Sequence, residues 1–113
     1  EEALQDGKAE RALIDLSLSA MGLVTIEKVP EAKKRIDRAK RIVDKTTWDW
    51  LRTLLSFSQA LNENRFDDAR ELLKMFKQEE TIMGVMDACL SILEEKEKKR
   101  KKGLFGRGKQ DAS

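Results

Sequence analysis

The run ALNENRFDDARELL, residues 60–73, decides the fold. Ala60 and Leu61 end an apolar series that includes Trp50, Leu51, Leu54, Leu55 and Phe57. Phe66, Ala69, Leu72, Leu73 and Phe76 begin a second one. Both recur at helical spacing, so each predicts a helix with one buried face. Asn62 to Arg65 between them are polar, and Asn64, at the turn, is read as opening the second of the two helices. Two helices joined by so few residues form an antiparallel hairpin. The spacing predicts helices over about 47–62 and 65–77.

Working outward, Thr46 followed three residues later by Asp49 reads as a capping box that opens the first of these helices. Upstream, Pro30 suits a first helical position, where its missing N–H costs nothing. Ala32, Ile36, Ala39 and Val43 then form a narrow apolar line that touches the body along one edge. Before it, a helix from about Lys8 to Met21 carries Ala9, Ala12, Leu13, Leu16 and Ala20 on one face, with Ile14, Leu18 and Met21 as a second apolar edge. Gly22 is placed as its C-cap. A last helix, about 81–99, spreads Ile82, Val85, Met86, Cys89, Leu90, Ile92 and Leu93 over roughly half its circumference, wider than an ordinary surface helix. It is expected to be central, or half of a dimer interface. Glycines at 103, 106 and 108 break the pattern. The expectation is an all-α antiparallel bundle of four to five helices over 1–99, with a disordered basic tail over 100–113.

Residues 60–73 resemble the helix–turn–helix of a tetratricopeptide hairpin, with Asn64 at the turn, Phe66 two residues on and Ala69 three beyond it. The resemblance covers that stretch alone, and no 34-residue repeat follows it. It supports a tight hairpin and not family membership.

Composition narrows the chemistry. The 113 residues fit one domain and contain no histidine, which removes the commonest general base and transition-metal ligand together. The single cysteine, Cys89, lies on an apolar helix face, away from the electropositive setting a reactive thiol needs, and it leaves no disulfide pair. Glu79–Glu80, Asp67–Asp68 and Glu94–Glu95 are neighbours in sequence, so on a helix they diverge by about 100° and do not converge on a metal or a bond. No glycine-rich phosphate loop follows a strand. These readings point to a non-enzyme with no cofactor, no metal and no small-molecule substrate. No apolar run approaches the roughly 20 residues that span a bilayer, and the expected setting is cytoplasmic, or nuclear in a eukaryotic or viral source. The chain opens at Glu1 rather than Met, as a processed product or a piece of a longer protein would.

Charge is divided unevenly. Residues 1–95 hold 15 basic and 19 acidic side chains, residues 96–113 hold 8 and 2. In the tail, Lys98, Lys99, Arg100, Lys101, Lys102 and Arg107 surround Leu104 and Phe105. Such a segment suits nucleic-acid phosphates or, less well, an anionic membrane surface; a solubilising tail looks the same. Lys34, Arg38, Arg41 and Lys45 fall on one face of the second helix, opposite its apolar line, where any helix puts solvated charge. Trp48 and Trp50, two residues apart, diverge by about 160° if both are helical. Trp50 lies with Leu54, Phe57 and Leu61. Trp48 lies among Arg52, Gln59 and Asn62. The leading expectation is therefore a protein-interaction module that docks a partner or itself through Trp48 and Arg52 and, on the last helix, Met83 and Met86. The alternative is a nucleic-acid-binding accessory protein using the second-helix stripe and the tail.

Overall fold

The computed structural model describes residues 7–45, 47–77 and 80–112, with 102–112 described for the backbone alone. The described residues are all-helical: α1 Ala9–Thr25, α2 Val29–Ile42, α3 Asp49–Asn62, α4 Phe66–Met75 and α5 Glu80–Ala112. α1 packs on α2, α3 on α4, and the two hairpins meet chiefly through α1 and α3. α5 lies against α1 and α4 and touches α3, while α2 and α4 make no contact with each other.

The two hairpins turn by one device used twice, 37 residues apart. At the end of α1, Glu27 takes the left-handed conformation (φ 65°), its N–H donates to Val24 O (3.0 Å), and Lys28 N–H donates to Leu23 O (2.8 Å). At the end of α3, Asn64 (φ 60°) donates to Leu61 O (3.2 Å) and Arg65 to Ala60 O (2.8 Å). Both are Schellman closures, which satisfy the carbonyls a helix end leaves open. The residue before each (Ile26, φ −102°; Glu63, φ −98°) and the one after (Lys28, φ −97°; Arg65, φ −94°) also match. Burial repeats at the same offset: Ala20 with Phe57, Val24 with Leu61, Ala32 with Ala69 and Ala39 with Phe76 are all inside. The sequence shows no repeat after residue 73; the structure shows one before it.

The core joins both hairpins to α5: Leu13, Met21, Ile36, Leu54, Phe57, Leu61, Phe76, Met86 and Leu90 are buried. Where α1 meets α3, Ser17 and Ser58 are buried too. The Ser58 hydroxyl donates to Ser17 O (2.9 Å), with Leu54 O also in reach (3.1 Å). Trp50 is half-buried rather than enclosed, standing edge-on to Phe76 at 6.1 Å between ring centres. Cys89 is buried, and burial pushes its thiol pKa up.

Three boundaries differ from the sequence expectation. α1 passes through Gly22, because the left-handed residue that ends it is Glu27. α3 begins at Asp49 with Trp48 as N-cap and no side-chain cap, so the Thr46–Asp49 capping box does not set its start; Thr46 itself lies outside the described residues. The α5 backbone continues through the glycines to Ala112, where a disordered tail is expected from residue 100. A helical glycine costs about 1 kcal/mol relative to alanine, and no proline follows to stop the helix. The molecule measures 66 × 27 × 20 Å, its long axis that of a helix outrunning the others.

Candidate interaction surface

Among the described residues, the chain between the hairpins, residues 43–48, does not use the device of the two turns. Val43 leaves α2 in an extended conformation. Thr47 N–H donates to Asp44 O (3.1 Å), and Asp44 N–H donates to the Thr47 hydroxyl oxygen (2.9 Å). One turn into α3, Arg52 reaches back and staples the loop: Nε donates to Thr47 O (3.2 Å) and the guanidinium end to Asp44 O. Guanidinium suits this task because its rigid fork serves two carbonyls at once. Trp48, the next residue, is extended (φ −64°, ψ 145°), and its carbonyl accepts from Leu51 N–H (3.1 Å) and Arg52 N–H (3.2 Å). Its backbone is thus held on both sides while its side chain is 60 % exposed.

Trp48 heads the outward face of α3. Because α2 and α4 do not touch, that face is flanked by two clefts sharing Ser56 and Gln59. The one toward α2, about 360 Å³, is lined by Lys40, Val43, Arg52, Leu55, Ser56 and Gln59. The one toward α4, about 390 Å³, is lined by Ser56, Gln59, Arg65, Asp68, Glu71 and Leu72. At the far end, Glu63 accepts from Gln59 Nε2 and Arg65 Nε (both 2.9 Å). These two bonds, Gln59's first, hold the Glu63 carboxyl below the ordinary value. The chemistry available is recognition: one large aromatic, hydrogen-bonding amides and hydroxyls, and charges of both signs. Among the described residues no group of three or more Cys, Asp or Glu is placed to hold a metal.

The other expected site residues are scattered. Lys34, Arg38 and Arg41 line the outer side of α2, exposed, and none makes an ion pair among the described residues. Lys45 is also exposed but lies beyond α2, which ends at Ile42, so the helical stripe holds three cations and the fourth stands in the loop beside Trp48. Met83 is half-buried against the core, and Met86 is fully buried, so Met86 is closed to any partner. Met86 lies inside because the wide apolar face of α5 packs on α1 and α4; it is Val85 and Ile92 on that helix that remain exposed. Lys98, Lys99, Arg100 and Lys101 are exposed, Arg100 within 4.0 Å of Glu97. The side chains of Lys102 and Arg107 lie outside the described residues. Sequence reasoning missed the staple: nothing in the spacing of Asp44, Thr47 and Arg52 marks two backbone carbonyls as acceptors. No helix among the described residues is long and apolar enough to cross a membrane.

Comparison with protein-family models, with curated proteins and with solved structures finds no match.

Proposed function

We propose that this protein is a non-enzymatic interaction module, an adaptor or assembly piece that docks a protein partner on the outward face of α3 with Trp48 as the anchor. One observation carries the reading: a 60 % exposed tryptophan sits on a loop whose backbone is locked by Arg52. Water around so large an apolar surface is released on binding, and a fixed backbone lowers the entropy lost in docking. Tryptophan is enriched among the residues that dominate binding energy. Stacked helical hairpins, each pair burying its face on the next, are a frame that other interaction proteins use. The single buried cysteine suits a reducing compartment, cytoplasmic or nuclear.

The test is retention of proteins from native extract, nuclease-treated, on the wild-type chain and on Trp48→Ala. Proteins held by the first and lost from the second support the reading. Identical retention contradicts it.

A second reading has its own support. Lys34, Arg38, Arg41 and Lys45 are exposed, and none makes an ion pair among the described residues, as phosphate-binding residues would be. The exposed Trp48, in the same loop as Lys45, suits stacking on a single-stranded base. Steeply salt-dependent binding to single-stranded nucleic acid, lost when the four cations are replaced by Gln, would favour this reading over the first.

A further inference from the structure

The two clefts beside α3 carry opposite charge. The one toward α4 is acidic. Asp68 and Glu71 line it, and its one cation, Arg65, is already held by Glu63 and Asp68 (both 2.9 Å). Glu71 has Lys74 at 3.2 Å. A carboxylate brought to this side would meet carboxylates.

The cleft toward α2 is lined by two cations, Lys40 and Arg52, and by no acid. Lys40 is exposed, and neither residue makes an ion pair among the described residues. The staple made by Arg52 uses two of the five N–H groups of a guanidinium, and both go to neutral carbonyls. Its charge is therefore fixed in position, half-buried, with donors to spare. The acids nearest in sequence do not cancel it. The Asp44 carboxylate accepts from the Thr47 hydroxyl (3.4 Å), and Asp49 lies about 60° around α3 from Arg52, on the side away from Leu55. The apolar part of the lining is Leu55, buried, and Val43, half-buried.

A fixed guanidinium, an unpaired lysine and aliphatic lining, next to a loop that exposes a tryptophan, match one chemistry. We infer that the partner presents an acidic peptide segment to this face. Its carboxylate enters the α2-side cleft on Arg52 and Lys40, and its large apolar side chains lie on Val43 and Trp48, the two ends of the stapled loop. A guanidinium meets a carboxylate through charge-assisted, often paired, hydrogen bonds. Capture of acidic motifs by basic clusters is a recurring mode of peptide recognition. Lys45, exposed on the same loop, adds to the attraction. The cleft measures about 360 Å³, the space of a few side chains, so the segment it takes is short. The acidic cleft on the α4 side then sets the polarity, since it repels a carboxylate placed on the wrong flank. The inference rests on the proposed function and names the partner chemistry for the same face.

A random peptide library displayed on phage, selected on the folded full chain and counter-selected on Trp48→Ala, tests it. Sequences kept by the wild type and lost by Trp48→Ala should be enriched in Asp or Glu next to large apolar residues. A synthetic peptide of the most enriched sequence should bind with an affinity that falls as salt rises. Lys40→Glu should weaken that binding about tenfold or more. Lys40 is exposed and circular dichroism confirms the fold; if the variant unfolds, Lys40→Gln takes its place. Replacing Lys34, Arg38 and Arg41 by Gln, on the outer side of α2, should leave binding unchanged at physiological salt, where charges more than about 8 Å apart are largely screened. Three results would overturn the inference and leave the proposed function standing. They are Trp48-dependent sequences that are neutral or basic, acidic ones indifferent to Lys40→Glu, or an equal loss from the outer-side replacement, which the nucleic-acid reading expects. Recovery of no Trp48-dependent sequence would overturn both.

Discussion

The two hairpin turns and the connection between the hairpins face one problem, ending a helix without stranding its carbonyls, and solve it differently. At Glu27 and Asn64 the backbone does the work alone, through one left-handed residue and two N–H donors. At residues 43–48 no left-handed residue is present among those described, and side chains do it instead: Thr47 bonds the start of the loop, and Arg52 takes the carbonyls of Asp44 and Thr47. A backbone device can recur under unlike sequences. A side-chain staple depends on particular residues, and here it leaves a large aromatic exposed. The repeated part of the molecule builds the frame, and the unrepeated part carries the exposed tryptophan.

The largest effect expected from breaking this contrast lies in the frame. Phe57 is fully buried at the position corresponding to Ala20 of the first hairpin. Phe57→Ala should cost about 4 kcal/mol in denaturant unfolding, because the cavity adds to the lost burial. A loss under 1 kcal/mol would mean that the α1–α3 contact is not the core of the stack.

An intermediate effect should separate the staple from the turns. Arg52→Ala removes the donors to two loop carbonyls and should cost about 1–2 kcal/mol. Arg52→Lys should recover only part of that, since ammonium lacks the fork. Hydrogen exchange should quicken at the Thr47 amide, whose acceptor is the Asp44 carbonyl, and not at Lys28 or Arg65 in the turns. Equal quickening at all three would erase the distinction.

The smallest effect has the opposite sign. Glutamate is a poor residue for a left-handed backbone and asparagine a tolerated one. Glu27→Gly should therefore stabilise the fold by about 1 kcal/mol, whereas Asn64→Gly should be close to neutral. If both changes behave alike, the two turns are not equivalent in the way their hydrogen bonds suggest.

These positions also mark what could be read in the sequence. Five helices were legible because apolar spacing reports a buried face directly, and the hairpin at Asn64 was legible from the short polar stretch between two such faces. That Asn64 closes α3 in the left-handed conformation, with Arg65 rather than Asn64 at the N-cap of α4, was not. Nor was the matching turn, because Glu27 announces nothing and the apolar residues at matching positions differ, as with Ala20 and Phe57. Trp48 could be separated from Trp50 by angle alone. That it precedes α3, held by Arg52, could not, since which carbonyls lie within reach of a guanidinium is decided only when the chain folds. The face of α5 that stays open was hidden in the same way: periodicity gave one wide apolar sector, and packing on α1 and α4 chose Met86 to bury and Ile92 to leave exposed.

Affinity for a protein retained from extract, measured beside the melting curve for the wild type and Trp48→Ala, tests the central claim most directly. The account predicts that Trp48→Ala changes stability by no more than about 0.5 kcal/mol, as at a surface site. It also predicts that the same change weakens binding by about 2 kcal/mol or more, roughly 30-fold, as loss of an anchor would. A variant that binds as tightly as the wild type, or that loses as much stability as Phe57→Ala, would contradict it.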